Sequence, residues 1–336
     1  MATKPSIGGQ AVMEGVMMRG PVSWAVAVRK PDQDIKVEGY PLPNHQERHN
    51  WLKWPFFRGV YVLVESLSIG VKALKISAKV ALDEEMEDEA AADKAVGISM
   101  AFGFLFITAF FIAGPALISK IGGARFGVTT PLWQNLIEGA IRIGFFVGYI
   151  FLISLIPDIR RVFQYHGAEH KTIYAYENDE PLEPVVIDKY TTLHVRCGTN
   201  FLFIVMFLTI AGHFVADLFL EGFPIWVKIA ARILMIPLLA GSSYEVIRAA
   251  GRKDNSAIFK FVSLPGLALQ KITTRPPTYD QIEVAIKAME AVIARQKLAE
   301  AEALETGVIG AREILPSSKP GDILKPQPGP AGAGSG

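Results

Sequence analysis

Four apolar blocks constrain this chain more than any other feature: Ala95–Ser119, Leu132–Ile156, Asn200–Leu220 and Pro224–Ala250. At 1.5 Å per residue, each is long enough as a helix to cross a hydrocarbon core about 30 Å thick. The composition agrees, because 336 residues that are 50% hydrophobic and 20% charged, with a mean hydropathy of +0.29, lack the polar surface of an ordinary cytosolic enzyme. The expected fold is therefore mainly α, a polytopic helical membrane protein of about four spans. A formal net charge of +1 provides no field for nucleic acid, so membrane lipids are the expected partner and nucleic acid is not. No basic start leading directly into an apolar run follows Met1, and no cleavable signal is expected.

Charges inside the blocks point to the bundle interior. Glu138 and Arg142, four apart on one helical face, are set to pair in the second block; His213 and Asp217 share that spacing in the third. Pro237 interrupts the fourth and invites a kink. Orientation follows from the basic flanks: Lys72, Lys75, Lys79 and Lys94 precede the first block, Arg160, Arg161, Lys171, Lys189 and Arg196 lie between the second and third, and Arg248, Arg252, Lys253 and Lys260 follow the fourth. The opposite loops hold only Lys120, Arg125 and Lys228. The positive-inside rule then puts both termini and the central loop in the cytoplasm, in a multi-pass protein of the inner (plasma) membrane.

The remaining segments divide naturally. Residues 1–58 combine a glycine-rich stretch, Ile7 to Pro21, with a β-hairpin formed by Val22–Arg29 and Ile35–Tyr40. Residues 59–94 hold an apolar-then-basic helix, Gly59–Ala81, suited to lie in the membrane interface, and an acidic connector beginning at Asp83. Spans fill 95–156 and 200–250 around a loop at 157–199, and 251–315 form a cytoplasmic C-terminal helical region. In it, Thr278 and Gln281 have capping-box spacing at the head of a helix running to about Glu305, whose apolar stripe is suited to packing on the body, on a protein partner or on a second copy of the chain. Residues 316–336 have the Pro, Gly and Ser content of a disordered tail.

The chemistry concentrates in the central loop. His166 and His170 are four apart and on a helix project from one face, at a distance that one divalent ion can bridge. Glu169 completes H-x-x-E-H and is placed to act as ligand, orienting acceptor or general base. His194 and Cys197, three apart in the same loop, offer an imidazole and a thiolate suited to zinc or another borderline metal. All four closing around a metal make a structural site; three with an open position make a catalytic one. The competing reading is a polar cytoplasmic helix on which Glu169 pairs with Lys171 or Arg161.

At these motifs the chain resembles the bacterial YqhQ-like family, membrane proteins of unknown function described as predicted metal-dependent enzymes. The resemblance is carried by Gly8 to Gly20, Tyr165 to Lys171, Arg196 to Asn200, Tyr244 to Arg248, Pro265 to Gln270 and Gln281 to Ile286. It implies a metal centre at His166, Glu169, His170, His194 and Cys197, with Glu14 as a further ligand. The expected function is a divalent-metal-dependent hydrolase acting on a lipid or membrane-proximal peptide. Glu169 would serve as proton acceptor, and Arg196 or Lys171 would steady negative charge. Two alternatives stand beside it: a scaffold protein with a closed structural metal site, and a transporter using the charged residues of the spans.

Overall fold

A computed structural model describes residues 5–42, 54–55, 57–82, 89–128, 130–251 and 257–306. The acidic run after Asp83 and the tail from Pro316 lie outside these residues.

The N-terminal region is larger than the expected hairpin. Strands β1 (Gly8–Val12), β2 (Gly15–Arg19), β3 (Ser23–Arg29) and β4 (Ile35–Pro41) form an antiparallel meander in the order β1-β2-β3-β4. The expected pairing of 22–29 with 35–40 is its second half, with Val26 opposite Glu38. The glycine-rich stretch forms the first half, Val12 and Gly15 flanking a two-residue turn in which Glu14 takes the left-handed φ of 51°. Glycines without side chains hide the two-residue alternation that marks a strand.

Both faces of this sheet are covered, so β3 reads as an unbroken apolar run rather than an alternating one. On one face Val12, Met17, Trp24, Val26 and Val28 pack against helix α1 (Phe57–Ala81) through Ile69, Ala73 and Val80. The other side of α1 leaves Val64 and Leu67 about 60% exposed, so the helix carries apolar surface on both sides.

The apolar blocks become helices. An α-helix α2 (Glu89–Ile107) passes through a π-helical turn (Thr108–Ala113) into α3 (Gly114–Arg125); α4 is Pro131–Ile153 and, beyond α5 (Pro157–Glu177) and the short α6 (Pro184–Ile187), α7 is Gly198–Phe219. Among the described residues, three helical stretches are long and apolar enough to cross a membrane: Gly97–Arg125, Trp133–Ile153 and Gly198–Phe219. The fourth block is broken into α8 (Ile225–Leu234) and α9 (Ile236–Gly251), bent by 42° just before Pro237, whose ring cannot continue the helical ladder. Counting that pair as one gives four candidate spans among the described residues, consistent with a membrane protein.

Charges within the bundle find partners there. Arg142 donates to Glu138 at 2.6 Å, as the spacing requires, and its Nε donates to the Phe111 carbonyl in the π turn at 3.0 Å. The expected pairing of His213 with Asp217 is not what forms. Arg232 takes Asp217 at 2.9 Å and grips both oxygens of Glu138 at 2.8 and 2.9 Å, because α8 brings a guanidinium with more donors than an imidazole to the same point.

After α10 (Ala257–Thr273), helix α11 (Tyr279–Thr306) closes the chain. Gln281 accepts from the Thr278 N–H at 3.0 Å, which is half of the expected capping box. Its stripe packs on the body: Ile282, Val284, Ala285, Met289 and Val292 bury against Val16, Met18, Ala25 and Ala27 of the sheet and against Tyr165, Ala168 and Ile173 of α5. The helix bearing the H-x-x-E-H string is thus clamped between the sheet, α11 and the ends of the apolar helices.

Candidate metal centre

Helix α5 starts at Pro157, whose fixed φ suits the first helical position, and from Tyr165 to Ile173 every residue but His166 is buried, so the helix is enclosed on all sides there. The close fit has a visible cause at Gly167: a Cβ there would fall 2.1 Å from the Arg275 carbonyl oxygen. The segment after α10 therefore lies directly on α5, fastened by the Arg275 N–H donating to the Phe163 carbonyl at 2.9 Å.

This packing fixes the two imidazoles. His166 Nδ1 lies 2.9 Å from the Thr273 carbonyl and His170 Nδ1 2.5 Å from the Thr192 carbonyl. A carbonyl only accepts, so each Nδ1 carries the proton and each Nε2 keeps a free lone pair. Backbone carbonyls orient metal-binding histidines in this same way. His166 Nε2 points at Cys197 Sγ, 3.2 Å away, while His170 Nε2 is buried without a hydrogen-bond partner. Burial pushes the His170 pKa down, which keeps that lone pair available.

Cys197 occupies the N-cap of α7. Its sulfur accepts from the Thr199 N–H at 3.4 Å and from the Thr199 hydroxyl at 3.2 Å, at the positive end of the helix dipole. One donor atom from each of His166, His170 and Cys197 lies within 4.8 Å of the other two. Donors around a tetrahedral zinc, with bonds of about 2.0–2.3 Å, stand roughly 3.3–3.8 Å apart, so the trio needs only a small contraction to close on an ion.

Glu169 sits beside the trio, its Oε2 4.0 Å from His166 Nε2, and is only 5% exposed. Burial pushes its carboxyl pKa up, opposed by His166, His194 and the backbone N–H of Gly9. Strand β1 reaches this close because Gly9 has no side chain: a Cβ would lie 2.8 Å from both Cγ and Oε1 of Glu169.

The other residues expected at the centre are occupied elsewhere. His194 is near, its ring 5.6 Å from that of His170, but Nδ1 accepts from the Arg196 N–H at 3.3 Å and Nε2 faces Glu177 at 3.6 Å. Glu14 is held by Arg161, with the Tyr165 hydroxyl donating at 3.3 Å, outside the donor cluster. Lys171 donates to the side chain and carbonyl of Asp188, each at 2.6 Å. The pairing of Glu169 with Lys171 or Arg161 is thereby replaced by Lys171–Asp188 and Arg161–Glu14. Arg196 pairs with Glu177 and remains 46% exposed on the wall of a cavity of about 600 Å³, which is also lined by His166, Glu169, His170 and Cys197.

Sequence reasoning had not identified Thr199, nor Gln270, which clamps the His194 backbone by accepting from its N–H at 2.8 Å and donating to its C=O at 2.9 Å. The hydroxyl two residues beyond Cys197 is a helix-start signal that could have revealed Thr199. Gln270 lies 76 residues from its partner and has no local signature.

A protein family described as "Protein of unknown function (DUF1385)" matches residues 54–295. The chain belongs to this family. It is similar to "Uncharacterized protein YqhQ" of Bacillus subtilis (strain 168), 33% identical over 309 residues that cover 88% of this chain and 95% of that protein. No solved structure matches. Neither description states a ligand or a reaction, so metal-dependent chemistry rests on the geometry of the residues.

Proposed function

We propose that this family member is a multi-pass membrane protein whose cytoplasmic face carries a divalent-metal hydrolase site, with zinc the metal that its donors suit best. One observation carries the reading: two imidazoles, each with Nδ1 tied to a backbone carbonyl, each offer one donor atom within 4.8 Å of the other and of one cysteine sulfur, and the Nε2 of His170 is buried with no hydrogen-bond partner. An orphaned buried acceptor costs about 1–3 kcal/mol, which an ion relieves. Three protein donors leave one tetrahedral position open, and that supports catalysis over a closed structural site.

A metal held there supplies Lewis acidity toward water and substrate. The chain's own groups would do the rest. Glu169, beside the trio in a water-poor pocket, takes the proton from the attacking water and returns it to the leaving group, so one bond is cleaved with one water consumed. Arg196 offers its remaining guanidinium donors to negative charge developing at the cavity wall. The basic flanks support cytoplasmic termini and a cytoplasmic site.

Elemental analysis of the purified protein tests the proposal. About one zinc per chain is expected, falling below a tenth of that in His170→Ala and in Cys197→Ser, with Glu169→Gln keeping the metal and losing turnover. A protein free of transition metal after growth in zinc-supplemented medium overturns it.

A further inference from the structure

The cavity beside the trio has a wall of unusual origin. Ile150 and Ile153 come from the last turn of α4, one of the helices long and apolar enough to span a membrane, and are joined by Val162, Phe163 and Ile173. On the same turn, Phe151 and Leu152 face outward, 52% and 64% exposed. One end of a lipid-facing helix thus presents one surface to its surroundings and another to the cavity. Its polar lining includes Arg196, Glu169 and the trio, so a cation, a buried carboxyl and the donor atoms share the cavity with the aliphatic surface. At about 600 Å³ the space falls within the range of clefts for small ligands.

We propose that this cleft holds the acyl chain of a membrane lipid whose negatively charged phosphoester head lies toward Arg196 and the trio. The proposal deepens the hydrolase reading by giving its substrate class and rests on that reading for the chemistry alone. Continuity with α4 supplies the entry route, since a chain leaving the bilayer at the end of that helix meets apolar side chains without crossing water. The competing substrate, a membrane-proximal peptide, needs a backbone partner. The edge strand β1 beside the cavity is poorly suited, because α5 packs against it and Glu169 takes the Gly9 N–H.

The test reconstitutes the full chain in phosphatidylcholine vesicles containing phosphatidylglycerol with a diazirine at the end of one acyl chain. Irradiation is done with and without prior chelation, and labelled residues are mapped by mass spectrometry. Label on the cavity residues Ile153, Phe163 and Ile173, above any on Phe151 and Leu152, is expected in both conditions. Ile150→Trp, which adds bulk at the aliphatic wall and leaves every donor residue in place, should cut the internal label at least fivefold and leave the outer label unchanged. Arg196→Gln should abolish the preference for phosphatidylglycerol over an equivalent phosphatidylcholine probe.

Label confined to Phe151 and Leu152 overturns the proposal, because that is the pattern of lipid merely surrounding the helix. Label at the internal positions from a photo-leucine peptide, and none from lipid, overturns it in favour of a peptide substrate. Chelation separates the two readings. Internal labelling in a protein that binds no zinc removes the hydrolase and keeps the lipid, whereas a zinc-loaded protein with outer label alone removes the lipid and keeps the metal.

Discussion

Gly9 stands where a strand edge meets a buried carboxylate, and its lack of a side chain decides how close the two come. Alanine there would push a methyl group to 2.8 Å from Glu169 Cγ and Oε1 and to 2.8 Å from the Met17 carbonyl, and the backbone neighbour cannot swing aside. Gly9→Ala is expected to lower stability by about 1–3 kcal/mol, the usual cost of overpacking, and to reduce turnover more than zinc content, because Glu169 moves while the trio stays. Thermal unfolding with parallel metal analysis checks this; equal loss of metal and turnover would contradict it. Gln270 works through backbone atoms instead. Gln270→Leu leaves the buried His194 N–H unmatched, at about 1–3 kcal/mol, and leaves its C=O with the Cys197 N–H alone; it should loosen the turn that delivers Cys197, weakening zinc affinity at least tenfold in a chelator competition. At this scale the sequence was informative where spacing acts along one helix, as for His166, Glu169 and His170. It misled where a partner comes from elsewhere: nothing near His194 announces that Glu177 will face its Nε2, and nothing near Glu14 announces Arg161.

Among the elements, the apolar helices are held together by a buried polar knot. Glu138, Arg142, Asp217 and Arg232 are each at most 9% exposed and balance to zero charge, two acids against two guanidinium groups. Removing one member is therefore far worse than removing a matched pair. Arg232→Met should destabilise the protein by roughly 3–5 kcal/mol, since it strands Asp217 and leaves Glu138 with Arg142 alone. The double change Asp217→Asn with Arg232→Met keeps the neutral Glu138–Arg142 pair and should recover most of that loss; denaturation in a fixed detergent measures both, and simple additivity of the two single changes would contradict the account. The Glu138–Arg142 half was legible from a four-residue step. The Arg232–Asp217 half was not, because it depends on how α8 folds back against α7, and no local pattern records which side chains that return brings together. The π turn is a similar case: its freed Phe111 carbonyl meets Arg142 from another helix, and no local pattern records that meeting.

For the whole molecule, the consequence is that the site belongs to no single segment. Its donors come from α5 and the head of α7, its carbonyl props from Thr192 and Thr273, its glycine wall from β1 and its outer wall from α4. What keeps these together is the sandwich of sheet, α5 and α11, in which Ile282, Val284, Ala285 and Met289 are almost fully buried. The helical pattern of α11 was readable from its stripe, yet its target was not, since an amphipathic face records that it will be covered and leaves the cover unspecified. A chain ended after Arg275 retains every proposed donor, Thr273 and all the apolar helices. It loses the surface that covers Val16, Met18, Tyr165 and Ala168, and burial worth about 25 cal/mol per Å² goes with it. The expected outcome is a protein that still inserts into membrane but binds zinc at least a hundredfold more weakly, with β1 to β3 opened to protease. Met289→Asp, which buries an unpaired charge in the same interface, should act in the same direction with the full chain present. Undiminished zinc binding in both would mean that α5 and α7 hold the centre by themselves, and that the sheet and α11 serve some purpose other than building it.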